Sequence, residues 1–302
     1  MRTPLLRFTA VCAAVVALST AASAETTTID TYIGPVEVTP QPDTIAVMDF
    51  AILDTLEALG VAVDGVVGPP MLDYLADAMD GAAPMGTLFE PDYEAIAALG
   101  PDLIQAGGRA SRVVPDLSRG APTVDMTIWE DVVGQGLDRL AAYGTIFSKE
   151  DEAAALAASF NARLETVKTD LAGQGSALIV MTNGPKVSTY GADSRFGWLH
   201  TDVGLPATIE NVEESTHGEA ISFEFIRDAN PDILLVVDRM SAIGQDGASA
   251  RATLDNPLVH ETSAWKNDKV VYLSSAPIYL AGGGIQTMML TLEEIAAVLT
   301  DQ

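Results

Sequence analysis

The chain has 302 residues, 48% of them apolar, and carries 42 acidic against 16 basic residues for a net charge of −26. So acidic a chain is a poor partner for nucleic acid or an anionic membrane surface, and its apolar content is too high for a disordered acidic tail. The single cysteine, Cys12, excludes an internal disulfide and a cysteine-built metal site.

The first elements concern export. Arg2 and Arg7 flank the start, residues 8–22 are apolar or small, and Ala22-Ser23-Ala24 gives the small-x-small pattern of a cleavage site. Residues 1–24 therefore read as a signal peptide, too short in its apolar core for the ~20 residues of a membrane span. Cys12 follows Val11, where a lipoprotein signal wants a small residue, so a lipid anchor is not expected. Residues 1–24 hold two arginines and no acids, so their removal moves the net charge from −26 to −28.

Next, residues 26–33 and 36–38 flank Gly34-Pro35 and predict a small hairpin. Residues 45–49 predict a buried strand running into a helix that ends near Gly60. Further on, Glu94-Ala95-Ile96 leads to Pro101-Asp102-Leu103-Ile104, a short helix stopped by proline and then an Asp-led buried strand. The same pattern, E-x-I-x-x-x-x-P-D, returns 130 positions later as Glu224-Phe225-Ile226 and Pro231-Asp232-Ile233-Leu234. Residues 177–182 match the strand at 45–49, with a second helix ending near Gly204. Two homologous α/β lobes follow, residues 25–147 and 174–302.

Between them, Ala153, Leu156, Ala157, Phe160, Leu164, Val167 and Leu171 recur at helical spacing. Ser148 with Asp151 offers a cap close to a capping box, and Gly173 and Gly175 end the run. Residues 148–173 thus predict a connecting helix, whose run from Lys149 to Ala172 spans about 36 Å at 1.5 Å per residue. A rigid connector of that length limits opening and closing of the lobes. The chain ends with a strand at 270–273, a turn at Gly282-Gly283-Gly284 and a helix over 285–299.

A cleft between two such lobes is lined by loops at the carboxyl ends of strands. Three of the few arginines fall there: Arg109 after residues 103–106, Arg195 after a predicted hairpin, and Arg239 at the end of residues 233–238. A surface ion pair would account for any one of them. Three together predict an anion site, because the guanidinium fork donates two parallel hydrogen bonds to oxygen ligands. His217 lies in a polar loop before a helix starting near Ser222, Tyr279 follows the strand at 270–273, and both side chains are competent ligands for ferric iron. From the residues alone, a solvent-facing histidine and a packed tyrosine account for them better. No G-x-S-x-G, H-E-x-x-H or phosphate-loop framework is present, and the spacing of His200, His217 and His260 does not suggest zinc.

Several strings resemble one family: Gly86-Thr87-Leu88-Phe89-Glu90-Pro91-Asp92-Tyr93-Glu94, Ser194-Arg195-Phe196-Gly197-Trp198, His217-Gly218-Glu219-Ala220-Ile221-Ser222-Phe223-Glu224 and Asp238-Arg239 with Ala242-Ile243-Gly244. Ala264-Trp265-Lys266-Asn267 through Tyr272-Leu273 belongs with them. They are similar to the periplasmic siderophore-binding proteins of ABC importers, in the branch that takes ferric catecholate-type siderophores such as petrobactin. The resemblance implies two Rossmann-like lobes bridged by one long α-helix, the class III periplasmic binding architecture. It implies that Arg109, Arg195 and Arg239 form a basic triad for a ferric siderophore. It also implies that His217 and Tyr279 complete the iron shell where the siderophore leaves sites open, and that Glu94 and Glu224 dock one lobe each onto the permease. The expected protein is a periplasmic monomer and not an enzyme, with no permanently bound cofactor and a ferric siderophore as its transported ligand. A haem or corrinoid carrier of the same architecture is the alternative, and a metal-dependent secreted hydrolase a remoter one.

Overall fold

The computed structural model describes residues 26–212 and 218–300. The export-signal reading and His217 lie outside the described residues.

Strands β1 (Thr27–Thr31) and β2 (Gly34–Val38) form the expected antiparallel hairpin. In the first lobe β3 (Ile45–Val47), β4 (Gly65–Val66), β5 (Ala83–Pro84), β6 (Leu103–Ala106) and β7 (Thr123–Asp125) make a parallel sheet in the order β5-β4-β3-β6-β7. In the second, β8 (Ala177–Asn183), β9 (Lys186–Tyr190), β10 (Glu219–Ile221), β11 (Ile233–Asp238) and β12 (Val270–Tyr272) pair in the order β10-β9-β8-β11-β12. There β8, β11 and β12 are parallel, while β9 turns back against β8 and β10 against β9. Every residue of β3, β6 and β11 is buried, as strands covered on both faces must be.

The repeated motif is a clamp. In the first copy Asp92 caps helix Tyr93–Leu99 and Gly100 closes it in the left-handed region at φ 63°. In the second, Ser222 caps Phe223–Ala229 and Asn230 closes it at φ 46°. The aspartate after each proline then secures the neighbouring strand: Thr44 N donates to Asp102 Oδ2 at 2.9 Å, and Ser176 N to Asp232 Oδ2 at 2.9 Å. The second lobe departs from the first in one respect. Where β3 leads directly into helix Phe50–Ala58, β8 leads into the β8–β9 hairpin, and the helix before Gly204 is a single turn, Trp198–Thr201.

Helix Glu150–Asp170 links the lobes, burying Ala153, Phe160, Leu164 and Val167. Ser148 does not cap it. Ser148 adopts φ 54° and closes the preceding helix, Val132–Phe147, so its side chain faces away from the new helix and accepts from Gln41 Nε2 at 2.9 Å. Lys149 occupies the cap position without a side-chain hydrogen bond.

The last helix, Ile285–Leu299, packs on β12 and on helix Ser275–Leu280 of its own lobe and also reaches the first lobe. It packs against Phe50–Ala58, Val132–Phe147 and Glu150–Asp170, and Arg163 holds Glu293 through two hydrogen bonds of 2.8 and 2.6 Å. Its start is capped from the first lobe by Asp54, which accepts from Gln286 N at 2.9 Å, Thr287 N at 3.0 Å and Thr287 Oγ1 at 2.9 Å. Tyr74 donates to the same carboxylate at 2.6 Å. A Cβ on Gly284 would stand 2.5 Å from Asp54, so only glycine permits this approach. Among the described residues no helix is long and apolar enough to cross a membrane.

Candidate functional site

A cleft of about 1040 Å³ is lined by residues of both lobes, at the carboxyl ends of β3, β6, β8 and β11. Arg109, Arg195, Arg239 and Tyr279 all face it.

Each arginine is presented by a distinct local device. After β6 the chain turns at Gly108, φ 50°, where a Cβ would lie 2.9 Å from Asp49 Oδ2, and the turn delivers Arg109. Arg195 follows the β8–β9 hairpin, and Phe196 beside it packs edge-on to Tyr190 with ring centres 4.9 Å apart. Arg239 opens a one-turn helix whose cap, Asp238, accepts from Ser241 N at 3.2 Å and Ala250 N at 2.7 Å.

Tyr279 is where the three meet. Its backbone carbonyl accepts from Arg109 Nη2 at 3.0 Å and from Arg195 Nη2 at 2.6 Å, so one oxygen holds a guanidinium from each lobe. Both guanidinium carbons lie over its ring, at 5.1 and 4.7 Å from the centre. Arg239 Nε donates to the phenol at 3.3 Å, and its Nη1 to Asn183 Oδ1 at 3.4 Å. None of the three closes an ion pair with a carboxylate among the described residues.

The charges are consequently under-compensated. Burial, and then the positive charge of Arg109, push the Arg195 guanidinium down to about 10. Burial alone would raise the Tyr279 phenol, but the hydrogen bond from Arg239 and the fields of Arg109, Arg195 and Arg239 outweigh it and lower its pKa. Among the described residues Asp49 is the buried carboxylate facing the pair. Its pKa is raised because desolvation outweighs the hydrogen bond from Ala51 N and the attraction of Arg109 and Arg195. Such an arrangement stabilises an arriving anion.

The remaining predicted residues divide. Glu94 and Glu224 are the second residues of the matched helices Tyr93–Leu99 and Phe223–Ala229, and both are exposed. Glu224 also borders the cleft, whereas Glu94 does not. His200 and His260 serve the fold, His200 Nδ1 bonding to Leu205 O at 2.8 Å and His260 stacking on Trp265 at 4.3 Å. Among the described residues no cluster of histidine, cysteine and acids could hold a metal ion. Sequence reasoning missed Asp49, which follows β3 as the cap of helix Phe50–Ala58 just as Arg109 follows β6. It also missed Asn183, Lys186, Phe89 and Trp129 on the cleft walls.

The description of periplasmic binding proteins as a family fits residues 45–277. The petrobactin-binding protein YclQ of Bacillus subtilis is 36% identical over 265 residues, covering 86% of this chain and 83% of its own. The ferric-anguibactin-binding protein FatB of Vibrio anguillarum is 30% identical over 276 residues, covering 88% and 85%. Among solved structures, the periplasmic catecholate-siderophore binding protein VctP of Vibrio cholerae matches with a TM-score of 0.85 at 31% identity, over 90% of this chain and 100% of that one. With the family pattern running from β3 into the helix that carries Tyr279, the chain belongs to the periplasmic binding protein family.

Proposed function

We propose that this chain is the periplasmic substrate-binding component of an ABC importer, which captures a ferric siderophore of catecholate type and delivers it to the permease for iron uptake. The observation that carries the reading is the meeting of three arginines, from two lobes, around Tyr279 without a carboxylate ion pair among the described residues. The petrobactin- and anguibactin-binding relatives support the ligand class.

A ferric tris-catecholate carries a charge of about −3, and each guanidinium contact is worth about 4 kcal/mol gross at an effective dielectric of 20. Desolvation removes much of that gain, leaving a net few kcal/mol over the triad. On this reading Arg109 and Arg195 exchange part of their hold on the Tyr279 carbonyl for the ligand, and Arg239 steadies the phenol. Where a siderophore offers only four donors, the Tyr279 phenolate supplies a fifth and His217 the sixth. Lobes 25–147 and 174–302 move little about the connecting segment 148–173. The chain acts as a monomer after loss of residues 1–24, with Glu94 and Glu224 meeting arginines of the permease. It performs no catalytic step and keeps no resident cofactor.

Calorimetric titration with a ferric catecholate, the iron-free catecholate and haem tests the assignment. Saturable binding of the ferric complex alone is expected. Binding of haem with a Soret band and no response to the ferric complex would overturn it.

A further inference from the structure

Besides Arg109, the first lobe lines the cleft with Phe89, Met126, Ile128 and Trp129, whose only polar side-chain atom is the Trp129 indole nitrogen. Phe89 is 55% and Trp129 43% exposed, placing both among the few large apolar or aromatic side chains left open to solvent in the described residues. A single exposed ring is ordinary. Two lining one cleft, from the loops after β5 and β7 at opposite edges of the first-lobe sheet and each on a pinned backbone, are not.

Phe89 rides a tight turn closed by the Gly86–Pro91 bridge and by Thr87 N donating to Glu90 O at 2.9 Å. Thr87 Oγ1 accepts from Phe89 N at 3.3 Å and Glu90 N at 3.0 Å, and Arg112 Nη2 donates to Phe89 O at 3.1 Å. The turn needs glycine at its base, where Gly86 has φ 90° and a Cβ would lie 2.4 Å from Glu90 O. Trp129 N donates to Gln135 Oε1 at 2.6 Å, and Gln135 Nε2 in turn to Glu130 Oε2 at 3.0 Å. Rings displayed on fixed backbone lose little freedom when a ligand covers them, which is the arrangement of a preformed binding surface.

We infer that Phe89 and Trp129 are specificity-determining residues that stack on the aryl rings of the ligand while the arginines hold its anionic metal centre. The inference rests on the ferric-siderophore reading and narrows it. The cleft selects chelates that present a π face over hydroxycarboxylate chelates of similar charge, because only the former gain ring-on-ring contact in addition to charge attraction.

Calorimetric titration of wild type, Trp129→Phe, Trp129→Leu and Phe89→Leu with the ferric complex of 2,3-dihydroxybenzoate tests it, with ferric citrate as the ring-free comparison. Stacked rings contribute about 0.5–1.5 kcal/mol beyond burial, so each leucine variant should bind the aryl complex up to about tenfold more weakly while Trp129→Phe stays within about threefold. Any residual binding of ferric citrate should be the same in all four proteins. Equal affinity of the phenylalanine and leucine variants at 129 overturns the inference, as does unchanged binding in both leucine variants. If the leucine variants bind normally yet fail only in delivery to the permease, the rings are a docking surface and the inference falls. Arg239→Ala titrated alongside separates the two readings: loss there with none at Phe89 or Trp129 sinks the aryl contact alone. A wild type that binds no ferric catecholate sinks both.

Discussion

Tyr279 divides its two oxygens between two tasks. The backbone carbonyl gathers Arg109 and Arg195, and the phenol, lowered in pKa by Arg239 and its neighbours despite burial, faces the cleft. Replacing Tyr279 by phenylalanine removes the second task and leaves the first. In Tyr279→Phe a ferric tris-catecholate, already fully wrapped, should bind within about threefold of wild type, less than the ~1.4 kcal/mol of a tenfold change. With a bis-catecholate the charge-transfer band should shift in wild type and not in the variant. A band that shifts equally in both would remove direct ligation. At this scale the sequence disclosed the arginines, because cations are scarce in so acidic a chain and each stands at a strand end. Asp49 stayed hidden because one acid among 42 carries no such signal. Its importance comes from burial against two arginines that are distant in sequence.

The elements were legible where local chemistry decides them. Proline after a short helix, then aspartate, then a buried run, marks the helix and the strand of both copies, while the hold of Asp102 and Asp232 on equivalent backbone amides is seen only in the fold. Ser148 misled because a serine with an acid three residues on satisfies the capping pattern equally well from a left-handed residue that ends the previous helix. The Asp54 cap was illegible for another reason: it joins residues more than 200 positions apart, and nothing local announces it. Burial outweighs the four donors around Asp54 and raises its pKa to about 6, with Tyr74 and Glu57 the titratable neighbours. Against an unfolded value of about 3.9, the native state binds a proton first, so this group makes stability fall as pH rises from about 4 to 6. The full span is worth at most about 3 kcal/mol. Denaturant unfolding of wild type and Asp54→Asn at pH 4, 5, 6 and 7 should show that slope in wild type and a flatter one in the variant. Parallel curves would mean that Asp54 titrates normally.

For the whole molecule, charge and architecture pull in opposite directions. Removing residues 1–24 leaves a net charge of −28, which repels an anionic chelate at long range, while the guanidinium cluster attracts it at contact. Salt screens the distant repulsion first, since the Debye length falls from about 30 Å at 0.01 M to about 8 Å at 0.15 M. Stopped-flow association with a ferric catecholate should therefore accelerate over that range, with dissociation changing less. A rate that falls steeply with salt would show instead that the arginines dominate the field far outside the cleft. Two lobes and their connection could be read from one internal repeat and one helical period. The return of the last helix, Ile285–Leu299, to the first lobe could not, because it depends on packing between surfaces and not on either sequence alone. The most direct measurement compares one arginine from each lobe. Calorimetric titration of a ferric tris-catecholate into Arg109→Ala and Arg239→Ala should show both at least about tenfold weaker than wild type, a loss of about 1.4 kcal/mol or more. Wild-type affinity in either variant would contradict a shared anion held from both sides.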